Sequence, residues 1–437
     1  MNEIVMLLID KVYPKTRRYV TKIRSCTESN TVVVLACVRG FSESLELDAV
    51  RDCVDDATVG TVQELADWVR TKEESGAHVS VVALNQSSVL PSVALHRLLQ
   101  RPRRHGLIES CDKRQTRALL RPHPKLAVEY CAVNPRHPIE ACFPAAEYIV
   151  KPAFGMSSHG VKRCGSWEQA FSAAQSRENV REWLPSHVRE ALGFDETDSR
   201  IIEPYIDGTE FSVDGWISSE GFRAIVQQKL YMVENSFIGD GMTVSPPIDS
   251  SRLPSGWAGL RASEKDIKMF ARDVLAAIGF SLGVFHIEGR EQRSDGSLKL
   301  IEVNPRAPGG SLWRSALMRL GEDLETVDAT IQLGRPVPKP NSPMYDYALH
   351  YPFYADKSGV LEDWGDLASP EALNALGVKI DYAVEVKQRF TDADMQEEPY
   401  VAFAVAHADT LEALLEKCHG ILKLARPRIV PLPESTS

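Results

Sequence analysis

Between residues 283 and 310 the chain reads GVFHIEGREQRSDGSLKLIEVNPRAPGG. Two apolar runs, 284–287 and 298–303, flank a turn at Ser294-Asp295-Gly296. His286 and Glu288 stand at the end of the first run, Glu302 and Asn304 at the end of the second. Arg306 follows, then Gly309-Gly310. Packing alone would not select these polar groups for a buried strand. Two carboxylates, an amide and a guanidinium at the open end of a hairpin make a site for a cation and for phosphate oxygens. That is the chemistry of a nucleoside triphosphate.

Side-chain parity tests the geometry. Directly paired residues on neighbouring strands share a face. A three-residue loop Ser294-Asp295-Gly296, with Gly296 left-handed, pairs Glu288 with Glu302 and His286 with Asn304, so all four point the same way. A two-residue Asp295-Gly296 turn instead pairs Glu288 with Val303 and sends Glu302 to the other face. The chemical reading therefore requires the longer loop. Adjacent carboxylates repel each other unless a cation lies between them. Mg²⁺ suits them, because it takes oxygen ligands together with substrate phosphates. The plain alternative is an exposed hairpin with solvated acids, and the apolar residues flanking the acids on both strands weigh against it.

Two further segments could meet such a site. Lys151-Pro152-Ala153-Phe154-Gly155-Met156-Ser157-Ser158-His159-Gly160-Val161 joins two strand-like stretches. Its small residues offer backbone N–H groups to phosphate oxygens, with Lys151 beside them. It is neither G-x-x-x-x-G-K-[ST] nor G-x-S-x-G, which excludes a P-loop and a nucleophile elbow. A plain hairpin turn fits this loop as well. The second segment, Glu203-Pro204-Tyr205-Ile206-Asp207-Gly208-Thr209-Glu210, lies between two β-branched stretches. An extended hinge there can present backbone groups to an adenine edge and Glu210 to ribose hydroxyls, or it can simply connect two domains.

The elements that must position these residues follow from pattern. Residues 4–9, 31–38 and 79–84 are apolar and β-branched, like buried parallel strands. Residues 61–70 and 92–99 read as helices between and after them, giving a doubly wound α/β unit. It lacks G-x-G-x-x-G and so carries no dinucleotide fingerprint. A helix is expected over 111–120 and a strand at 146–150. Ser166 with Gln169 reads as a capping box opening another helix. Residues 211–217 and 222–228 form a hairpin around Ser219-Glu220-Gly221. Ser263 caps a helix burying Ile267, Phe270, Ala271, Val274, Leu275 and Ile278, with Gly279 as its stop. A helix at 410–421 belongs to an α+β segment after a Pro-rich stretch, 335–343. The resulting division is 1–105 as an N-terminal α/β domain, 106–145 as a linker with a helical part, 146–205 as a lid, 206–340 as the core with the cation site, and 341–437 as a C-terminal α+β segment packed on that core.

The chain has 437 residues, 43% hydrophobic and 25% charged, with a net charge of −10. This suits a multidomain globular protein and excludes a nucleic-acid backbone as the main partner. The basic run Arg101-Pro102-Arg103-Arg104-His105 reads as a solvated linker. Eight cysteines show neither CxxC nor zinc-like spacing, as expected of a reducing, cytoplasmic setting. The first apolar run, 4–9, reads as a strand rather than a signal peptide. No run approaches a membrane span.

The order Lys113, Lys151 with its Gly/Ser loop, Glu203 to Glu210, Glu288, then Glu302-x-Asn304-x-Arg306 resembles the ATP-grasp ligases over residues 1–335. The His-x-Glu, the PRAPGG sequence and the C-terminal segment look most like the carboxylate–amine ligases that join two amino acids, the L-amino acid ligases. The resemblance implies an α/β and α+β multidomain ATP-grasp fold. It implies that Lys113, Lys151 and the Gly155, Ser157, Ser158, Gly160, Val161 loop bind ATP phosphates. Glu203, Tyr205 and Ile206 would hold adenine and Glu210 ribose. Lys229 would reach phosphate or stand solvated at a strand end. Glu288 and Glu302, with Asn304, would bind two Mg²⁺ ions, with Mn²⁺ as the alternative metal. Arg306 would neutralise an acyl-phosphate, and Gly309 and Gly310 would admit a substrate carboxylate. His286 would contact substrate, orient Glu288, or serve structure alone. Pro204 replaces a more usual polar hinge residue and removes a backbone donor.

The implied partners are small carboxylate and amine substrates, amino acids in this family, with a homodimer as the family's assembly. Competing readings are an ATP-grasp enzyme of purine or carboxylation chemistry, and a non-catalytic nucleotide binder. The latter predicts loss of Glu288, Glu302 or Arg306, and all three are present.

Overall fold

The computed structural model describes residues 3–10, 15–40, 50–102, 106–133, 143–155, 158, 160–176, 184–194, 200–231, 241–337, 339, 342–392, 394–396 and 399–431. The N-terminal part runs β1 (Glu3–Ile9), α1 (Thr16–Ser25), β2 (Val32–Val38), β3 (Asp56–Gly60), α2 (Val62–Glu74), β4 (His78–Ala83) and α3 (Gln86–Leu98). Its four strands are parallel in the order β3-β2-β1-β4. β1 from Ile4 onward and all of β2 are apolar because both faces are covered. Met6, Leu8, Val34 and Ala36 enter one core, and Val5, Leu7, Val33 and Leu35 enter the other.

Two elements of this unit escape the sequence pattern. β3 is an edge strand with only Gly60 buried, and α1 is largely basic outside its apolar stripe. The helix expected at 92–99 starts earlier, at Gln86, because Asn85 caps it by accepting from the Ser88 N–H. The helix expected over 111–120 is two helices, α4 (Leu107–Cys111) and α5 (Lys113–Leu120). The break is Asp112, whose backbone is extended and whose carboxylate accepts from the Arg114 N–H.

The middle of the chain supplies β5 (Cys131–Val133), β6 (Tyr148–Pro152), β7 (Lys162–Cys164), α6 (Trp167–Gln175), α7 (Ser186–Leu192) and β8 (Arg200–Pro204). The strands form an antiparallel sheet, β5-β8-β6-β7. Ser166 caps α6 by accepting from the Gln169 N–H, as expected. The reciprocal half of the box differs: the Gln169 side chain accepts from the Gly165 N–H, one residue earlier.

Next come β9 (Gly208–Ser218), β10 (Gly221–Tyr231), β11 (Met242–Ser245), α8 (Glu264–Ala277), β12 (Gly283–Gln292), β13 (Leu298–Asn304), α9 (Leu312–Leu320) and α10 (Leu324–Gln332). The β9–β10 hairpin closes through Ser219-Glu220, with Ser218 opposite Gly221. α8 buries Ile267, Phe270, Ala271, Val274 and Leu275, with Ile278 buried just beyond, and Gly279 follows at φ +74°.

The C-terminal part adds β14 (Tyr347–Tyr354), β15 (Gly359–Asp363), α11 (Pro370–Leu376), β16 (Val378–Tyr382), β17 (Arg389–Phe390), β18 (Tyr400–Ala408), α12 (Leu411–Lys423) and β19 (Arg428–Val430). β14, β18 and β16 continue the central sheet, whose order is β13-β12-β9-β10-β11-β14-β18-β16. One antiparallel sheet thus carries the Glu288/Glu302 hairpin at one edge and the C-terminal segment at the other. No helix among the described residues is long and apolar enough to cross a membrane.

Candidate active site

β12 and β13 pair with His286 opposite Asn304 and Glu288 opposite Glu302, the expected register. The cause differs from the expectation. Gln292 donates to the Ser297 carbonyl, so the loop has four residues, Arg293 to Gly296. That loop sets Glu291 opposite Leu298 and Gly289 opposite Leu300, which by itself would carry Glu288 past Glu302. A bulge restores the match. The ladder skips Ile301, and beyond it the two acids face one another. Gly296 is left-handed, at φ +74°, as expected.

The bulge also aims a backbone carbonyl. Ile301 O accepts from Lys151 Nζ at 3.1 Å and from Arg117 at 2.8 Å. Arg117 is buried, donates to Leu300 O at 3.0 Å, and meets Glu203 through Nε at 2.6 Å. Lys151 Nζ lies 2.7 Å from the other Glu203 oxygen. Burial would raise the Glu203 pKa, but the two cations hold the carboxyl below its usual range. Burial pushes the Lys151 ammonium down to about 8 against the opposing pull of Glu203. Arg117 was not singled out in the sequence. The signal was there, because it sits four residues after Lys113 on α5 and so shares its face.

Glu302 lies 3.3 Å from Lys113 Nζ and accepts from the Asn304 amide at 2.8 Å. Burial disfavours its charge, yet Lys113 and Asn304 bring its pKa down to about 2. Glu288 accepts from His286 Nε2 at 3.0 Å, and His286 Nδ1 lies 2.6 Å from Asp214. Burial alone would keep the imidazole neutral; Asp214 and Glu288 raise its pKa to about 10. Asp214 is a second residue not anticipated. It is fully buried, and it also accepts from Ser212 Oγ and Gln227 Nε2, each at 2.8 Å. It stands opposite His286 in the β9–β12 ladder, and only that pairing reveals it.

Glu210 is buried between Lys229 and Arg290, and Arg290 reaches it at 2.9 Å. Arg290 also donates to Ile206 O at 2.9 Å, and the Tyr205 N–H donates to Glu147 O at 2.9 Å. The Tyr205 ring lies under Arg163, 3.9 Å away. The Tyr205 N–H is therefore committed within the protein.

These residues line one pocket. Its walls include Lys113, Lys151, Gly155, Ser158, Val161, Glu203, Tyr205, Ile206, Glu210, Lys229, His286, Glu288, Glu302, Arg306, Gly309 and Gly310. Asn304 sits buried behind Glu302 rather than on the wall, and Gly160 packs towards Pro152. Ser157 lies outside the described residues. Arg306 is held from the N-terminal part, donating to Gln86 Oε1 at 2.9 Å and to Ala307 O at 2.7 Å. The wall carries five Lys or Arg residues (Lys113, Lys151, Lys229, Arg290, Arg306) against four carboxylates (Glu203, Glu210, Glu288, Glu302). The pocket is thus cationic in a chain of net charge −10, as an anion site requires.

Glu288, Glu302 and Asn304 supply only oxygen donors besides the amide nitrogen, the donor set of a hard divalent cation. Among the described residues no group of three or more His, Cys, Asp or Glu side chains could hold a metal by itself. Two carboxylates completed by phosphate oxygens fit Mg²⁺ better than an all-protein cage would.

Comparison with known proteins accords with this arrangement. Residues 145–314 match the ATP-grasp domain family. The fold is similar to that of an L-amino acid ligase from Bacillus licheniformis, with a TM-score of 0.71 and 16% identity over 99% of each chain. It is also similar to phosphoribosylglycinamide synthetase from Anaerococcus prevotii (TM-score 0.61, 12% identity, 99% of this chain and 100% of that one). A third likeness is the biotin carboxylase domain of 2-oxoglutarate carboxylase from Hydrogenobacter thermophilus, in complex with MgADP (TM-score 0.62, 13% identity, 98% and 91%). No curated protein matches the sequence. The chain carries an ATP-grasp domain and has the ATP-grasp fold across its length.

Proposed function

We propose that the protein is an ATP-dependent carboxylate–amine ligase acting on amino acids. The observation that carries the reading is one pocket holding a facing acid pair, Glu288 and Glu302, with Lys113, Lys151 and Arg306 around it. Its likeness to an L-amino acid ligase over 99% of each chain supports the substrate class.

A carboxylate is a poor electrophile. Transfer of the ATP γ-phosphoryl group to one carboxylate oxygen gives an acyl-phosphate and ADP. The amine of a second substrate attacks the carbonyl, the C–O bond to phosphate breaks, and the ammonium proton is lost as the amide forms. Glu288 and Glu302, with Asn304 behind them, would hold Mg²⁺, which supplies charge neutralisation to the triphosphate. Lys113 and Lys151 meet the phosphates beside Gly155, Ser158 and Val161. Arg306, oriented by Gln86, faces the carbonyl oxygen as negative charge develops there. Asp214 fixes His286, and His286 fixes Glu288. Glu203 acts through its side chain on Lys151 and Arg117, so its contribution to the adenine end is to shape the hinge. The sheet carrying residues 146–205 is the segment placed to exclude water from the intermediate.

The test is to incubate the protein with ATP, Mg²⁺ and pairs of amino acids, measuring ADP, phosphate and dipeptide. Phosphate release that requires both amino acids, with dipeptide formed in equal amount, is the expected result. ADP release that depends on bicarbonate, or on no added amine, would instead indicate a carboxylating or purine-type reaction.

A further inference from the structure

The part of the pocket lining that meets the Gly309-Gly310 turn has a chemistry that the phosphate machinery does not use. It includes Leu312, His350, Tyr400 and Phe403. Leu312 opens α9, His350 lies on β14, and Tyr400 and Phe403 lie on β18. The three rings are organised: His350 stacks on Phe403 at 5.4 Å and 27°, and Tyr400 lies 5.1 Å from Phe403. His350 and Phe403 are buried beneath the surface they present.

This wall is tied to the catalytic loop. A Cβ placed on Gly310 would come within 3.1 Å of the Phe403 ring, so the turn after Arg306 rests on that ring with no side chain between. Ser311 Oγ donates to Asp381 on β16 at 2.6 Å, which fixes the same turn to the C-terminal strands. Arg306 and the aromatic rings are therefore linked through one short turn.

Resting on the ligase reading, we propose that this aromatic wall receives the side chain of one amino-acid substrate, and that this side chain is large and apolar. The ring faces of Phe403 and Tyr400 with Leu312, backed by His350 stacked on Phe403, reward burial of hydrocarbon. Arg306, on the wall of the same pocket, disfavours a cationic side chain, and among the described residues the carboxylates lining the pocket are Glu203, Glu210, Glu288 and Glu302, none of them on α9, β14 or β18. A hydrophobic pocket separates substrates by removed hydrocarbon, on the order of tenfold or more for each well-packed increment.

The experiment is phosphate release with ATP and Mg²⁺ across a panel of amino-acid pairs, in the wild type and in Phe403→Ala, Tyr400→Ala and Phe403→Leu. MgATP affinity of each variant reports whether the fold and the nucleotide end persist. The wild type is expected to favour phenylalanine, leucine or methionine over alanine in one position by at least tenfold in kcat/KM. That preference should collapse in Phe403→Ala and Tyr400→Ala, chiefly through KM, and survive in part in Phe403→Leu. Blocking the amine or the carboxylate of the preferred residue tells whether it is the acid or the amine substrate; either supports the proposal. A wild type active on amino acids whose preference is for small or charged side chains overturns it. So does a preference unchanged in both alanine variants, and in both cases the ligase reading stands. Absence of turnover with every amino-acid pair, alongside tight MgATP binding, overturns the ligase reading and this proposal with it.

Discussion

Lys151 Nζ lies 3.1 Å from the carbonyl oxygen of Ile301, the residue at which β13 bulges. The bulge that brings Glu302 opposite Glu288 therefore also anchors the lysine of the neighbouring sheet. Cation site and phosphate lysine are coupled through one backbone group.

Glu302→Gln keeps the shape of the side chain and the Asn304 contact while removing the charge. Turnover should fall by about 10² or more, the scale seen when a positioned electrostatic group is lost. ADP release measured with saturating amino acids checks this, and near wild-type activity would refute the cation assignment.

Lys151 makes activity pH-dependent. Burial lowers its pKa to about 8, so rising pH removes a charge from the phosphate site just above neutrality. KM for ATP should rise above pH 8, and Lys151→Arg, which stays charged, should abolish that rise. The stability effect has the opposite sign. Between about 8 and the ordinary 10.5 the folded lysine binds fewer protons than the unfolded one, so this residue's contribution to stability grows as pH increases. Denaturant titrations of the wild type and Lys151→Met across that range would show the difference.

Arg117→Met removes one partner of the buried Glu203 carboxylate and two carbonyl contacts. The expected loss is about 3–5 kcal/mol of stability, as for any buried ion pair broken on one side. Urea unfolding midpoints would decide.

Gly289 lies beside the bulge, where an added Cβ would stand 2.6 Å from the Phe211 ring and 2.9 Å from Lys299 O. Gly289→Ala should cost about 1–3 kcal/mol through overpacking. It should also lower turnover, since relief of the clash must move Glu288 or β13. Thermal unfolding and phosphate release are the two readouts.

Gln86 reaches Arg306 from the N-terminal part at 2.9 Å. Gln86→Ala should lower kcat about tenfold, the worth of one hydrogen bond to a charged group. MgATP affinity should be unchanged, because the Gln86 side chain meets Arg306 rather than the lysines and acids of the nucleotide end. A change in affinity with constant kcat would show that Gln86 serves another purpose.

Local chemistry in the sequence was enough to single out the acid pair, Lys151 with its loop, Arg306 and the hinge, whereas Lys113 and Lys229 entered through the family resemblance. The two acids stand where apolar patterning would otherwise continue, and such breaks are visible in one dimension. The parallel strands β1, β2 and β4 were legible for the complementary reason, since burial on both faces demands unbroken hydrocarbon. What pairs with what was decided by the tertiary structure. Asp214 is an ordinary residue until β9 aligns with β12, and Arg117, though it shares a face with Lys113, gains its partners only when α5 meets β13. The facing of Glu288 and Glu302 was anticipated from a three-residue loop, yet a four-residue loop and a bulge at Ile301 produce it. Strand register is a sum over turn, bulge and neighbouring strands, and no single segment specifies it. The aromatic wall lies furthest from sequence reach, because Phe403 meets Gly310 only when β18 joins the sheet that began at β9. The sequence by itself determined which atoms could do chemistry; long-range strand pairing decided which of them stand within reach of one another.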